Sequence, residues 1–81
     1  MRRDVTVYSR KGCHLCEVAE DLLRQLGVAP RIIDIDEHPQ WRDEYHEWVP
    51  VIAIDGRVRF RGLINEHLLI RELTAPRAND T

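Results

Sequence analysis

Hydrophobic and polar residues follow one another along this chain in a pattern that predicts four strands and three helices. Val5 and Val7 take alternate positions within residues 4–9, as is typical of a strand. A strongly periodic helix follows, because apolar residues recur about every 3.6 residues up to Gly27, where a left-handed cap would end it. This single apolar face consists of Leu15, Val18, Ala19, Leu22, Leu23 and Leu26.

The middle of the chain predicts a second strand and a short helix. Residues 31–36 carry three isoleucines, a density of β-branched residues typical of a strand that is covered on both faces. Trp41, Tyr45 and Trp48 then recur at helical spacing. We expect Trp41 and Tyr45 in the core. Trp48 is the aromatic residue that could line a groove, because it precedes Val49-Pro50.

A hairpin comes next. Residues 51–54 are apolar, and Asp55-Gly56 is a strong signal for a two-residue hairpin turn. The returning strand covers residues 57–61 and is expected to place Val58 and Phe60 on one face.

Asn65 is a good N-cap for the last helix, which carries Leu68, Leu69, Ile70 and Leu73. Residues 76–81 have no core pattern and are expected to fray as a C-terminal tail, which leaves one domain over residues 1–75. The element order is β-α-β-α-β-β-α. The first two strands favour a parallel pair joined by a right-handed crossover, and the hairpin must be antiparallel. We therefore predict an α/β fold, a four-stranded mixed sheet with three helices on its two faces.

Cys13 and Cys16 are the only cysteines, and they stand between the first strand and the first helix. Helical residues three apart have Cβ atoms roughly 5–6 Å apart, and a disulfide needs Cα atoms roughly 4.4–6.8 Å apart. The pair can therefore close and open without rearranging the fold. A CxxC at the first strand-to-helix turn of a βαβ unit is typical of a thioredoxin-like redox motif.

With these motifs the chain resembles the glutaredoxin branch of the thioredoxin superfamily, and more closely the small glutaredoxin-like proteins with a Gly-Cys-x-x-Cys-Glu head. The resemblance spans residues 4–73, and its anchors are Tyr8, Arg10, residues 12–17, Val49-Pro50 and Gly62. It implies a thioredoxin-like fold and a thiol-disulfide oxidoreductase that serves cell redox homeostasis.

The resemblance also implies a place for the substrate. In the family the proline matching Pro50 is cis and lies against the dithiol, although only about 5–6% of X-Pro bonds in folded proteins are cis. The backbone of the residue matching Val49 pairs with the incoming substrate as an added strand. Trp48, Val49, Pro50 and Gly62 are accordingly the predicted substrate-binding residues.

The residues that would bind glutathione match the family only in part. Arg10 matches the basic residue that meets the glutathione carboxylate. However, His14-Leu15 stands in place of Pro-Tyr, Trp48 stands in place of the usual threonine, and residues 61–65 lack one glycine and the acidic residues that follow it. Glutathione is therefore a candidate co-substrate, and the electron donor is left open.

The predicted mechanism assigns different roles to the two cysteines. Cys13 lies at the start of a helix, where unpaired N–H groups and the helix dipole favour a thiolate, and Arg10, Lys11 and His14 add positive charge. We expect these residues to lower the pKa of Cys13, which attacks the substrate disulfide. Cys16 lies one turn deeper and resolves the mixed disulfide. This chemistry needs no metal or organic cofactor.

Three alternatives remain open for the same cysteines. They could be helix-terminal thiols without turnover. The chain could be a thioredoxin-like binding module that holds an extended partner along the edge near Val49-Pro50. Finally, the pair could belong to a zinc or iron-sulfur site, completed by His14, His38, His46 or His67.

Composition and charge indicate the class of protein, its partners and its location in the cell. The 81 residues are 43% hydrophobic and 32% charged, with a net charge of -2, which fits a soluble globular domain and indicates neither nucleic acid nor a membrane as a partner. No apolar run approaches the roughly 20 residues that span a bilayer, and the N-terminus leads into a strand instead of a signal peptide. We expect a cytoplasmic monomer that acts on a disulfide-containing protein or a small thiol.

Overall fold

The computed structural model describes residues 4–74 and has the predicted order of elements. These are β1 (Val5–Ser9), α1 (His14–Gln25), β2 (Arg31–Asp34), a 3-10 turn (Ile35–Glu37), α2 (Pro39–Tyr45), β3 (Val51–Ile54), β4 (Arg57–Arg61) and α3 (Glu66–Thr74). The tail predicted for residues 76–81 lies outside the described residues. Within the described part, no helix is long and apolar enough to cross a bilayer.

The four strands form one mixed sheet in the order β2-β1-β3-β4. β1 runs parallel to β2, with Ser9 beside Asp34, and antiparallel to β3, with Tyr8 beside Val51. Val51 also pairs with Arg61 at the end of β4. Four segments therefore emerge at the same end of the sheet: residues 10–13, 35–37, 48–50 and 62–65. We call this the Cys end of the sheet.

Helices cover both faces of the sheet, which confirms the predicted α/β architecture. On one face α1 and α3 pack on the strands, and the buried residues are Val5, Val7, Ala19, Leu23, Ile52, Ile54 and Leu69. On the other face α2 and the 3-10 turn bury Ile35, Tyr45 and Val51 against Tyr8, Trp41 and Val49. Adjacent residues of β3 face opposite sides, so this one strand contributes to both clusters.

The apolar face predicted for α1 is narrower than expected. Its buried stripe runs through Cys16, Ala19 and Leu23, which lie at intervals of three and four residues. Leu15 and Val18 lie on the flank of this stripe and are 43% and 47% exposed. The helical period alone does not show how wide a stripe the sheet covers.

The second strand differs from its prediction in both length and position. β2 ends at Asp34, and Ile35 begins the 3-10 turn. The strand lies at the edge of the sheet, and Ile32 is exposed. The prediction that both faces of β2 are covered was therefore wrong. β-branched residues suit any half-buried strand, so their density does not distinguish an edge strand from a central one.

The hairpin turn is as predicted, but the pairing that follows contains a bulge. Asp55 and Gly56 both have positive φ, at 52° and 84°, as a type I′ turn requires. The register then shifts, because Phe60 pairs with Ile52 and Val58 pairs with the next residue, Ala53. Phe60 packs on the α1–α3 side while Val58 is exposed, so the prediction that they share a face was wrong.

Asn65 caps α3 as predicted, since its Oδ1 accepts a hydrogen bond from the Leu68 N–H at 3.1 Å. We expect Asn65→Ala to lower the free energy of unfolding by about 1 kcal/mol, because one N-terminal N–H of the helix loses its partner. Urea unfolding followed by circular dichroism measures this change. Asn65→Asp keeps an acceptor oxygen and serves as the control; equal losses in the two variants would contradict the capping role.

Candidate redox site

Cys13 caps the N-terminus of α1. Its backbone is extended, with φ -87° and ψ 106°, and its Sγ accepts a hydrogen bond from the Cys16 N–H at 3.2 Å. The Cys13 N–H donates in turn to the Arg10 carbonyl at 3.3 Å. The sulfur therefore lies where unpaired N–H groups and the positive end of the helix dipole meet, a position that stabilises a thiolate.

Cys13 and Cys16 are joined in a disulfide, with Cα atoms 5.2 Å apart. The two residues differ in their access to solvent. Cys13 is partly exposed, whereas Cys16 belongs to the buried stripe of α1 and is 1% exposed. Of the two cysteines, Cys13 is therefore the more accessible to solvent.

A second backbone segment of the Cys end is tied to β4 by Gly62. The Val49-Pro50 bond is cis, as the resemblance implied. The Gly62 N–H donates to both the Trp48 carbonyl at 2.8 Å and the Pro50 carbonyl at 2.9 Å. Gly62 has a φ of 77°, a conformation that L side chains rarely adopt. These bonds hold residues 48–50 beside the end of β4.

The side chains of residues 48–50 differ in how deeply they are buried. Pro50 is buried, and Val49 packs against the aromatic cluster of the α2 face. In that cluster Tyr8 contacts Trp41 and Tyr45, with ring centroids 5.2 Å and 5.1 Å away. Trp41 and Tyr45 thus lie in the core as predicted. Trp48 is 50% exposed at the Cys end.

Arg10 makes a contact that the sequence did not reveal. Its Nε and Nη2 donate to the two carboxylate oxygens of Asp36 at 3.1 Å and 2.8 Å. This hydrogen bonding and the charge of Asp36 raise the pKa of Arg10 above its usual value. Lys11 and His14, the other two residues predicted to add positive charge, follow Arg10 in the chain, and both are exposed. The predicted parallel pairing of β1 with β2 was the one sign of this contact in the sequence. It places the residues that follow Ser9 next to those that follow Asp34.

Comparison with known proteins agrees with this geometry. Residues 4–74 match the model of the glutaredoxin-like domain (DUF836). The chain belongs to this glutaredoxin-like family. It is 35% identical over 55 residues to Glutaredoxin-C6 of Arabidopsis thaliana, a match covering 60% of this chain and 38% of that protein. The chain thus spans less than half the length of this plant relative.

Two further relatives match over most of their length. N-acetyl-S-hydroxy-L-cysteine reductase of Bacillus subtilis is 30% identical over 73 residues, which cover 80% of this chain and 78% of that protein. The solution structure of Ne2328 from Nitrosomonas europaea has a TM-score of 0.80 and 26% identity, covering 91% of this chain and 94% of that one. Family membership together with the Cys13–Cys16 pair supports a thiol redox role for this glutaredoxin-like domain.

The glutaredoxin-like domain brings all nine predicted site residues to the Cys end of its sheet. They are Arg10, Lys11, Cys13, His14, Cys16, Trp48, Val49, Pro50 and Gly62. Their individual roles remain predictions. One contact at this end was not predicted: the Asp36 carboxylate binds the Arg10 guanidinium.

The histidines considered as metal ligands are dispersed. His38 lies against Trp41, with ring centroids 4.9 Å apart, whereas His14, His46 and His67 are exposed. Among residues 4–74, no three His, Cys, Asp or Glu side chains are grouped so that they could hold a metal ion.

Proposed function

We propose that this glutaredoxin-like domain is a dithiol oxidoreductase that reduces disulfides of proteins or small molecules. The observation that carries the proposal is the asymmetry of the pair: Cys13 is partly exposed and caps α1, and Cys16 is buried behind it. A nucleophile has to reach the substrate, while a resolving thiol has only to reach the nucleophile.

The reaction transfers two electrons in two exchanges. The Cys13 thiolate attacks one sulfur of the substrate disulfide, forms a mixed disulfide and releases the first substrate thiol. The Cys16 thiolate then attacks the sulfur of Cys13, which releases the second thiol and forms the Cys13–Cys16 disulfide. The substrate gains two electrons and two protons, and the dithiol loses them. With the disulfide formed, the Cα atoms of the two cysteines are 5.2 Å apart, within the usual disulfide range.

A protein substrate would bind in extended form beside residues 48–50. Within residues 4–74, no main-chain group hydrogen-bonds to the Val49 amide or carbonyl. Gly62 holds the flanking carbonyls of Trp48 and Pro50, so Val49 is left to pair with an added strand. This arrangement supports Trp48, Val49, Pro50 and Gly62 as the substrate-binding residues. Cell redox homeostasis in the cytoplasm is the setting we propose.

Small oxidised thiols form the second class of substrate in this proposal. The name of the Bacillus subtilis relative specifies reduction of N-acetyl-S-hydroxy-L-cysteine by that protein. On such a compound the Cys13 thiolate would attack the S-hydroxy sulfur and displace hydroxide, which is protonated to water. Cys16 would then resolve the mixed disulfide as it does for a disulfide substrate.

Trapping distinguishes an oxidoreductase from a binding module. We expect Cys16→Ser to accumulate mixed disulfides through Cys13, because the resolving thiol is missing and the attacking thiol is intact. The variant is incubated with a disulfide-bonded peptide, and the adduct is measured by mass spectrometry before and after addition of dithiothreitol. The double variant Cys13→Ser/Cys16→Ser is the control and should give no adduct. Complex formation without a covalent adduct in Cys16→Ser would reject the oxidoreductase and favour the binding module.

A further inference from the structure

Arg10 and Asp36 form a two-point ion pair at the Cys end of the sheet. The planar guanidinium of Arg10 presents two N–H groups to both oxygens of Asp36, at 3.1 Å and 2.8 Å. The Arg10 carbonyl meanwhile accepts the Cys13 N–H. Arg10 thus hydrogen-bonds to the backbone of Cys13 through its carbonyl. Its side chain bonds to the carboxylate of Asp36, which follows the end of β2.

The Asp36 carboxylate is held in place by its own segment. The Asp36 N–H donates to Asp34 Oδ1 at 2.9 Å, which braces the 3-10 turn. Ile35, between the two aspartates, is fully buried in the aromatic cluster. β2 is paired with β1 directly before this turn, with Asp34 beside Ser9. The backbone around Asp36 therefore holds its carboxylate next to Arg10. The local concentration of this carboxylate at Arg10 is higher than that of a free carboxylate in solution.

We propose that Asp36 is a specificity-determining residue that occupies the Arg10 guanidinium and so directs the site away from small carboxylate-bearing thiols. The inference rests on the proposed function and concerns which small thiols re-reduce the Cys13–Cys16 disulfide after each turnover. The Arg10 carbonyl accepts the Cys13 N–H, so Arg10 and Cys13 share one turn of backbone, and the Arg10 cation would attract a carboxylate on a small molecule that approaches the sulfur. A free carboxylate has to displace Asp36, whereas a neutral thiol or a protein segment bound along Val49 does not.

The discrimination acts on the exchange that opens the Cys13–Cys16 disulfide. One small thiolate attacks the sulfur of Cys13, the S–S bond breaks, and Cys16 leaves as a thiolate. A second small thiolate attacks the small-molecule sulfur of the mixed disulfide and releases Cys13. Two thiols become one disulfide, and the two electrons they lose reduce the Cys13–Cys16 disulfide to the dithiol. A carboxylate next to the attacking thiol is attracted by the Arg10 cation, and the charge of Asp36 offsets this attraction while the two are paired.

Two thiols that differ in one charge test the inference. The oxidised full chain is reduced with N-acetylcysteine or with its neutral carboxamide, and the ratio of the two second-order rate constants is recorded. We expect Asp36→Asn to raise this ratio about two- to fivefold, the upper part of the range of effects for one exposed ion pair. The increase should shrink at high salt. Asp36→Glu keeps a carboxylate and should return the ratio towards that of the wild type.

Two controls separate charge from position. Glu72→Gln removes the same charge from the Arg59–Glu72 pair on β4 and α3, and should leave the ratio unchanged. Adding Arg10→Gln to Asp36→Asn should abolish the gain, because no cation remains to attract the carboxylate.

Equal acceleration of both thiols, or an unchanged ratio, would overturn the inference. Small thiols reduce an accessible disulfide even without catalytic turnover, so this ratio is independent of the trapping result that tests the proposed function.

Discussion

Cys13→Ser is expected to abolish disulfide reduction and mixed-disulfide formation, leaving only the uncatalysed rate. Serine offers no thiolate, and Cys16 is 1% exposed, so the buried sulfur cannot replace the missing nucleophile. Turnover of a disulfide-bonded peptide with dithiothreitol as the reductant measures the loss. Serine is a good N-cap, and its Oγ can accept the Cys16 N–H as the sulfur does, so α1 is expected to form normally.

The companion variant Cys16→Ser checks the order of the two roles. It should lose dithiol turnover but still form a covalent adduct, because Cys13 and its position on the helix are unchanged. Circular dichroism of both variants verifies that the fold is retained. Adduct formation by Cys13→Ser and none by Cys16→Ser would show that the assignment of nucleophile and resolving thiol is reversed.

Leu23→Ala is expected to lower the free energy of unfolding by about 2–5 kcal/mol. Leu23 is fully buried between α1, α3 and the sheet, so truncation removes apolar contacts and leaves a cavity. The total stability of a domain is only about 5–15 kcal/mol, and a small chain lies towards the lower end. This variant should therefore be close to unfolding. Urea denaturation followed by circular dichroism gives the difference.

Leu15→Ala is the matched control for that experiment. It makes the same substitution in the same helix, but Leu15 is 43% exposed and lies on the flank of the buried stripe. We expect a cost of about 0.5 kcal/mol or less, as is usual for surface positions. Similar losses at positions 15 and 23 would contradict the packing of α1 described above.

The ion pair between Arg10 and Asp36 shows where local sequence reasoning stopped. The sequence placed Asp36 at the end of the second strand, and nothing within that segment specifies a partner for its carboxylate. The partner is 26 residues away, and only the parallel pairing of β1 with β2 brings the two side chains together. The Arg10 carbonyl accepts the Cys13 N–H, whereas its guanidinium contacts a carboxylate of the protein itself.

The aromatic residues show the opposite case, in which local reasoning was sufficient. Helical spacing placed Trp41 and Tyr45 on one side of α2, and both pack into the core. Trp48 was set apart because it precedes Val49-Pro50, and it is half exposed at the Cys end. Burial raises the pKa of the Tyr45 phenol, in agreement with its place in that core.

Local patterns in the amino-acid sequence were enough to predict the order of the seven helices and strands, the hairpin turn, the cap of α3 and the position of the cysteine pair. Each of these depends on residues within a few positions of one another, through helical period, turn conformation or helix capping. Tertiary structure alone decided that β2 is an edge strand, that a bulge turns Val58 away from Phe60, and that Asp36 holds Arg10. Those features depend on pairing between distant segments, whose register is set by the packing of the whole sheet and not by any local pattern.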